Sequence, residues 1–293
     1  MTESQPSVPS AAELLRRYAL HPKKSLGQHF LVDDRILERI VAAADLSGRE
    51  AVLEIGPGLG ALTLRLAQAA WRVLAVEKDR ALQPVLSEVL RDFGNVQVCW
   101  GDVLEVDLPR ICEDAFGSRT VRVVANLPYY VTTPVMMKLL EAGPVIDRMV
   151  LMVQREVADR LTAQPGTKTY GALTVAVQWF AEKIESVARV PASCFWPRPE
   201  VDSVVVRLDL RPRPDPEMSR RLSRVVRAGF GQRRKTLLNA LSHALAGRDR
   251  ASIAQALRDA GVAPDRRAET LSLEEFMRLA QALADGVYPK SMP

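Results

Sequence analysis

The sequence predicts an α/β protein: a seven-stranded, mostly parallel sheet with helices on both faces, followed by a small all-helical domain. Three observations carry this. From residue 51 short apolar runs alternate with longer amphipathic stretches, as in a parallel sheet covered on both sides. A proline-rich run, RPRPDPE at 211–217, interrupts the alternation and reads as a linker, because proline neither continues a strand nor donates into a helix. Beyond it the apolar residues keep only three-to-four spacing.

Taken in order, residues 11–18 and 33–44 have helical spacing, with Asp33 and Asp34 placed to favour the start of the second helix. A basic loop, HPKKSLGQHF, joins them. Strands are expected near 51–55, 72–76, 95–99, 121–125 and 148–153, with helices near 60–69, 81–91, 132–141 and 155–162. A helix around 171–180 and two further strands, 184–190 and 203–210, close the sheet as an antiparallel hairpin with a long loop. Leu237, Leu238, Leu241, Leu245, Ile253, Leu257, Leu273, Phe276, Leu279 and Leu283 then mark a helical domain over 218–286. The sequence contains no internal repeat.

The 293 residues, 47% hydrophobic and 26% charged, exclude a disordered or collagen-like chain and suffice for a core without staples. Cys99, Cys112 and Cys194 never form a C-x-x-C pair, and His21, His29 and His243 are equally scattered. Neither a disulfide framework nor a metal site is expected, and a reducing compartment is. No apolar run approaches the roughly 18 residues of a membrane span, and MTESQPSVPS lacks the basic and apolar regions of a signal peptide. A cytoplasmic protein is expected, and, without a long exposed apolar heptad seam, a monomer. The net charge of +5 is unevenly placed. Residues 211–250 hold ten arginines and one lysine against Asp215, Glu217 and Asp249, a surplus of +8 that leaves −3 for the remainder. Such a cluster fits a face that tracks phosphates, although solvated helix faces are often basic too.

The first strand of the sheet runs through Glu54-Ile55-Gly56-Pro57-Gly58-Leu59-Gly60-Ala61 into a helix. Glycines there let a ligand approach the backbone closely. The pattern fits a dinucleotide fingerprint about as well as an S-adenosylmethionine loop. Glu77, 21 residues after Gly56 and at the end of the second strand, is placed to accept from both hydroxyls of a ribose, which favours an adenosine moiety. Asp102, after the third strand, is placed to accept from an adenine amino group or to cap the following turn.

The fourth strand ends in Asn126-Leu127-Pro128-Tyr129-Tyr130. N-x-P-Y after that strand resembles the motif of methyltransferases acting on exocyclic amino groups of bases, which implies adenine N6 as the nucleophile; its lone pair is delocalised, so a site must hold the amine as it pyramidalises. The side-chain oxygen of Asn126 and the carbonyl of Leu127 or Pro128 are acceptors for its two protons, and Tyr129 offers a stacking face. No strong base is needed, because a sulfonium donor is already activated.

The order of glycine turn, Glu77, Asp102 and N-L-P-Y resembles the ribosomal RNA adenine dimethylase family. The resemblance runs from about residue 22 through the helical domain and implies a Rossmann-like class I methyltransferase fold using S-adenosyl-L-methionine. Phe195-Trp196-Pro197-Arg198-Pro199-Glu200-Val201-Asp202-Ser203 is similar to the family's F-x-P-x-P-x-V-x-S, which implies that Phe195 stacks on the flipped adenine opposite Tyr129. Gln28-His29-Phe30-Leu31 resembles G-Q-N-F-L, a segment that closes over the methionine end of the donor, with His29 where Asn is common. Phe230-Gly231-Gln232-Arg233-Arg234-Lys235-Thr236-Leu237-Leu238-Asn239 is similar to F-x-Q-R-R-K-T-x-x-N. That motif favours the KsgA-type small-subunit enzymes over the Erm enzymes of large-subunit rRNA.

The expected domains are a helix and basic loop over 1–30 covering the donor site, a methyltransferase domain over 31–210 and an RNA-binding helical domain over 211–293. Asn126, Leu127, Pro128, Tyr129 and Phe195 are the expected catalytic residues. Gln28, His29, Leu31, Glu54, Gly56, Gly58, Gly60, Glu77, Asp102 and Asn126 are expected to hold the donor, and Arg227, Arg233, Arg234 and Lys235 the RNA. The resemblance implies dimethylation of two adjacent adenosines in the hairpin loop near the 3′ end of small-subunit (16S) rRNA, on the 30S precursor, late in assembly. An Erm-like enzyme and a binding-only assembly factor are the alternatives, and a dinucleotide-dependent dehydrogenase is a distant third.

Overall fold

The computed structural model describes residues 10–143, 145–232, 234–245 and 247–285. It divides into two compact units, one running to Ala158 and resuming over Lys183–Leu210, the other comprising Asp159–Glu182 and the chain from Arg211.

The first unit opens with α1 (Ala11–Arg17), a two-residue strand β1 (Phe30–Leu31) and α2 (Asp34–Ala44). Asp33 caps α2 by accepting from Arg35 N at 3.0 Å. The alternation then follows as β2 (Ala51–Ile55), α3 (Ala61–Ala69), β3 (Arg72–Glu77), α4 (Gln83–Val89), β4 (Val96–Trp100), α5 (Leu108–Phe116), β5 (Val121–Asn126), α6 (Thr132–Ala142) and β6 (Ile146–Gln154). Helix α7 (Arg155–Leu161) follows β6, and α8 (Ala172–Phe180) precedes β7 (Ala181–Val190), β8 (Phe195–Trp196) and β9 (Ser203–Leu210).

Seven strands form one sheet in the order β4-β3-β2-β5-β6-β9-β7. The pairs β3–β4, β2–β3, β2–β5 and β5–β6 are parallel, whereas β6–β9 is antiparallel, with Met149 opposite Leu208. All of β2 is buried, so its apolar run is continuous rather than alternating. Chain order reverses at β2, whose neighbours β3 and β5 lead away on opposite sides. A crevice therefore opens beyond the carboxyl ends of β2 and β5, where open α/β sheets bind ligands.

The seven-stranded, mostly parallel sheet agrees with the sequence expectation, and three elements lie outside it. Helix α5 was not expected between the third and fourth strands. Its signals are nonetheless local: Asp107 accepts from Arg110 N at 3.2 Å, Pro109 sits in the first turn, and Leu108, Cys112, Ala115 and Phe116 bury one face. Strands β1 and β8 form a separate antiparallel pair, Phe30 opposite Trp196 and Leu31 opposite Phe195, a pairing too distant in sequence to show as periodicity.

The second unit holds α8 with α9 (Pro216–Phe230), α10 (Leu237–Ala244), α11 (Arg250–Asp259) and α12 (Leu273–Asp285). The expected linker is shorter than 211–217, because Pro216 begins α9 under the cap of Asp215, which accepts from Met218 N at 2.8 Å. Proline's missing N–H costs nothing in a first turn. Residues 159–182, expected within the sheet domain, group with these helices instead. Tyr170 is fully buried in their core and donates from its hydroxyl to Leu271 O at 2.7 Å, while Trp179 Nε1 donates to Ser219 Oγ at 2.9 Å. Residues 10–30 likewise group with the sheet unit rather than standing apart.

Candidate active site

A cavity of about 370 Å³ lies in the sheet unit, lined by the glycine turn after β2, the ends of β3 and β5, the start of α1 and the chain from Leu26 to Val32. Gly56 and Gly58 line it with φ of 71° and 58°, a region side chains avoid. A Cβ on Gly58 would stand 3.1 Å from the Phe30 ring. Gly60, expected at the donor, is not in the lining. It starts α3, and a Cβ there would meet Val89 at 3.0 Å, so its smallness serves helix packing.

Glu54 and Glu77 bring two buried carboxyls to this wall. Burial pushes Glu54 up to about 8, partly offset by the nearby Thr63 hydroxyl and reinforced by the Glu77 charge. Glu54 and Thr63 approach each other without meeting hydrogen-bond geometry, and Glu54 Oε2 and Thr63 Oγ1 are both buried without a partner. Glu77 accepts from Gly58 N at 3.2 Å and Asp79 N at 2.7 Å, which ties the glycine turn to the end of β3. Burial raises its pKa, and those N–H bonds work against the rise. Asp102 also lines the cavity, accepting from Lys78 Nζ at 2.7 Å and Leu104 N at 2.9 Å. It therefore also holds the turn after β4, and its bond from Lys78 lowers its pKa.

Asp79 was missed by sequence reasoning. It is 6% exposed and accepts from Lys23 Nζ at 2.6 Å and Gln28 Nε2 at 2.9 Å. Burial would raise its pKa, but bonds from Lys23, Gln28 and Ala81 N–H outweigh this and hold it below its ordinary value. Gln28 lines the cavity, yet both ends of its amide are engaged, since Gln28 Oε1 accepts from Lys23 N at 2.8 Å. Its side chain thus fastens the segment over the cavity and is not turned toward a ligand. His29 and Leu31 line the cavity beside it.

Asn126, the last residue of β5, lines the cavity with Leu127, Pro128 and Tyr129. Asn126 Nδ2 donates to His29 O at 3.2 Å, which leaves Asn126 Oδ1 as the acceptor end. Pro128 O already accepts from Val131 N and Thr132 Oγ1, each at 3.1 Å, so the carbonyl of Leu127 is the better second acceptor. Tyr129 is half-buried, its hydroxyl bonded to Ser203 Oγ at 2.9 Å. Burial raises the pKa of this phenol.

Phe195 is not brought to the cavity. It is 4% exposed and packs with Leu31, Ile36, Leu37 and Ile40 in the core. Side chains alternate along β8, so the exposed Trp196 faces out and Phe195 faces in. The expected sandwich of Tyr129 and Phe195 is therefore not the arrangement seen.

On the helical unit Arg227, Arg234 and Lys235 are exposed, while Arg233 lies outside the described residues. The neighbouring Arg220 and Arg221 are paired with Glu217. Among the described residues no group of three or more His, Cys, Asp or Glu forms a metal cluster, and no helix is long and apolar enough to cross a membrane.

Comparison with known proteins agrees with this fold. A family model described as ribosomal RNA adenine dimethylase matches residues 19–285. Ribosomal RNA small subunit methyltransferase A of Pelotomaculum thermopropionicum is 50% identical over 281 residues, covering 93% of this chain and 95% of the relative. The crystal structure of a dimethyladenosine transferase from Plasmodium falciparum superposes with a TM-score of 0.72 at 27% identity, covering 88% of this chain and 98% of that one. That of the 23S rRNA methyltransferase ErmE gives 0.63 at 30% identity, covering 87% and 99%. With the family model and the curated relative matched over nearly its whole length, the chain belongs to the ribosomal RNA adenine dimethylase family.

Proposed function

We propose that this chain uses S-adenosyl-L-methionine to dimethylate N6 of two adjacent adenosines in the 3′-terminal hairpin loop of small-subunit rRNA, on a precursor of the subunit. The observation that carries the reading is the orientation of Asn126, whose Nδ2 is spent on His29 O, so that Oδ1 is presented as an acceptor to an incoming amine. A small-subunit target is favoured over a large-subunit one by the 50% identity to the small-subunit relative against 30% to ErmE.

The residues of the cavity fit the donor. Glu54 supplies an unpartnered buried oxygen for its ammonium group, Glu77 a carboxylate for the ribose hydroxyls, and Asp102 an acceptor near the adenine end. The Gly56 and Gly58 backbone allows close approach, and the segment from Gln28 to Leu31, fastened through Asp79, excludes water above. When bound, the donor supplies an electrophilic methyl group on a sulfonium.

Asn126 Oδ1 and Leu127 O accept the two N6 protons, which draws the nitrogen toward a tetrahedral geometry and localises its lone pair for attack. Both acceptors are neutral, in keeping with a reaction whose product loses a proton only after transfer. Tyr129, tethered by Ser203, presents a ring against which the extruded base stacks. Arg227, Arg234 and Lys235 with Arg233 contact RNA phosphates. The chain works as a monomer in the cytoplasm, where its target is assembled. Incubation with labelled donor and undermethylated small subunits tests the reading: label enters N6,N6-dimethyladenosine on this account, whereas a binding-only factor associates without incorporation.

A further inference from the structure

The cavity takes up the carboxyl ends of the strands, and the opposite end of the same sheet carries a second cluster of side chains. There the chain enters β2, β3 and β5 side by side, with Ala51 paired to both Arg72 and Val121. Arg49, Trp71, Arg72 and Arg119 stand at or just before those starts, and all four are exposed. Trp71 leaves 37% of its surface to solvent, and two cations stand over its ring. The Arg119 guanidinium carbon lies 4.3 Å from the ring centroid and that of Arg72 5.2 Å, both within the range of a cation–π contact. Arg119 reaches Trp71 across the start of β2, because β2 lies between β3 and β5. A guanidinium stacked on a ring uses its face and keeps its N–H edge for in-plane acceptors. Arg72 spends one edge donor on Ala115 O at 2.9 Å. Arg49 and Arg119 make no ion pair among the described residues, and Glu50, next to Arg49, is engaged by Ser47 and the Arg49 N–H. Glu113 and Asp114, exposed on the last turn of α5, pair with none of the three arginines.

We infer that this aromatic and basic cluster is a second RNA contact, which takes phosphates of the small-subunit rRNA away from the target loop. The inference rests on the proposed rRNA substrate and adds a surface to it. The five residues of β2 separate the cluster from the cavity by roughly 17 Å, at about 3.3 Å per residue, so one nucleotide cannot touch both. Arginine's planar fork matches two phosphate oxygens, and a guanidinium already ordered on an indole loses less freedom on binding than one free in solvent. Three arginines unpaired with carboxylates suit a polyanion, the chemistry that RNA presents along its whole backbone.

The test uses the full chain and undermethylated small subunits, with hydroxyl-radical footprinting of the rRNA alongside steady-state kinetics. The wild type is expected to protect backbone positions outside the target loop, a subset of which Arg119→Ala loses. Because the cluster is remote from the chemistry, Arg119→Ala should raise KM for the subunit about fivefold, the order of one exposed charge-assisted contact, and leave kcat and the donor Kd within about twofold. It should also flatten the plot of log K against log salt by roughly 0.7–0.9. Trp71→Ala, which keeps the charges but removes their platform, should act in the same direction, whereas Trp71→Phe should stay near the wild type. Should Trp71→Ala reduce the melting temperature, Arg119→Ala carries the test alone, since its side chain is exposed. An unchanged footprint in Arg119→Ala would overturn the contact, and together with a raised KM it would place a protein of the subunit on the cluster instead. A loss confined to kcat or to donor affinity would overturn it equally. If the wild-type chain transfers no methyl group, the proposed function fails while the footprint still decides the contact.

Discussion

Replacing Glu54 by glutamine isolates the least favourable charge in the site. Glu54 is 1% exposed, lacks a partner for Oε2 and has its pKa lifted from 4.5 to about 8, first by burial. A carboxyl whose folded pKa is raised holds its proton more tightly in the folded chain. Its contribution is therefore fully present below pH 4.5 and is lost as pH rises through 8. At 1.36 kcal/mol per pKa unit the loss is on the order of 5 kcal/mol. Glutamine mimics the protonated form, so the wild-type and Glu54→Gln chains should melt together near pH 4.5. Well above pH 8 the variant should melt about 10–20 °C higher, at roughly 2–4 °C per kcal/mol for a unit of this size. Scanning calorimetry across that range, read as the difference between the two chains, removes the other titrating groups. A difference that does not change with pH would refute the buried, unpaired carboxyl. With saturating S-adenosyl-L-methionine the order should reverse in one respect: the donor should raise the wild-type melting temperature more than the variant's, because only the carboxylate pairs with an ammonium.

Two other features of the site and its companion unit lead to separate expectations. Asp79→Ala releases Lys23 and Gln28, so the donor should bind about tenfold more weakly by calorimetry, a change of about 1.4 kcal/mol, with kcat at saturating donor nearly unchanged; an unaltered Kd would mean that the segment is held from elsewhere. Replacing Arg234 and Lys235 together should weaken RNA binding and flatten the plot of log K against log salt by roughly 0.7–0.9 per lost phosphate contact. An unchanged slope would assign these side chains to the helical unit's own surface.

Much of this site is legible in sequence because it is written in short segments. The glycine turn, Glu77, Asp102 and Asn126–Tyr129 each sit at the end of a strand, and the alternation of strands and helices brings those ends to one edge of the sheet. What is not legible depends on pairings between distant segments. Lys23 reaches Asp79 across 56 residues, and Tyr129 reaches Ser203 across 74. Phe195 occupies a site-like motif, but its ring direction is decided by the two-residue pairing of β8 with β1, which no local pattern announces. The grouping of residues 159–182 with the helical unit has the same origin, since Tyr170 is claimed by Leu271, 101 residues away. Helix α5 is a different kind of omission: its cap, its proline and its apolar spacing were all present in the local sequence.

The most direct measurement is mass-spectrometric mapping of N6,N6-dimethyladenosine in small-subunit rRNA from cells lacking this chain, complemented either with the wild type or with Asn126→Ala. The account predicts two adjacent dimethylated adenosines in the 3′-terminal hairpin with the wild type, and none with the variant, although the variant retains its melting temperature. Full modification supported by Asn126→Ala would contradict the assignment of Asn126 Oδ1 as the acceptor that readies the amine.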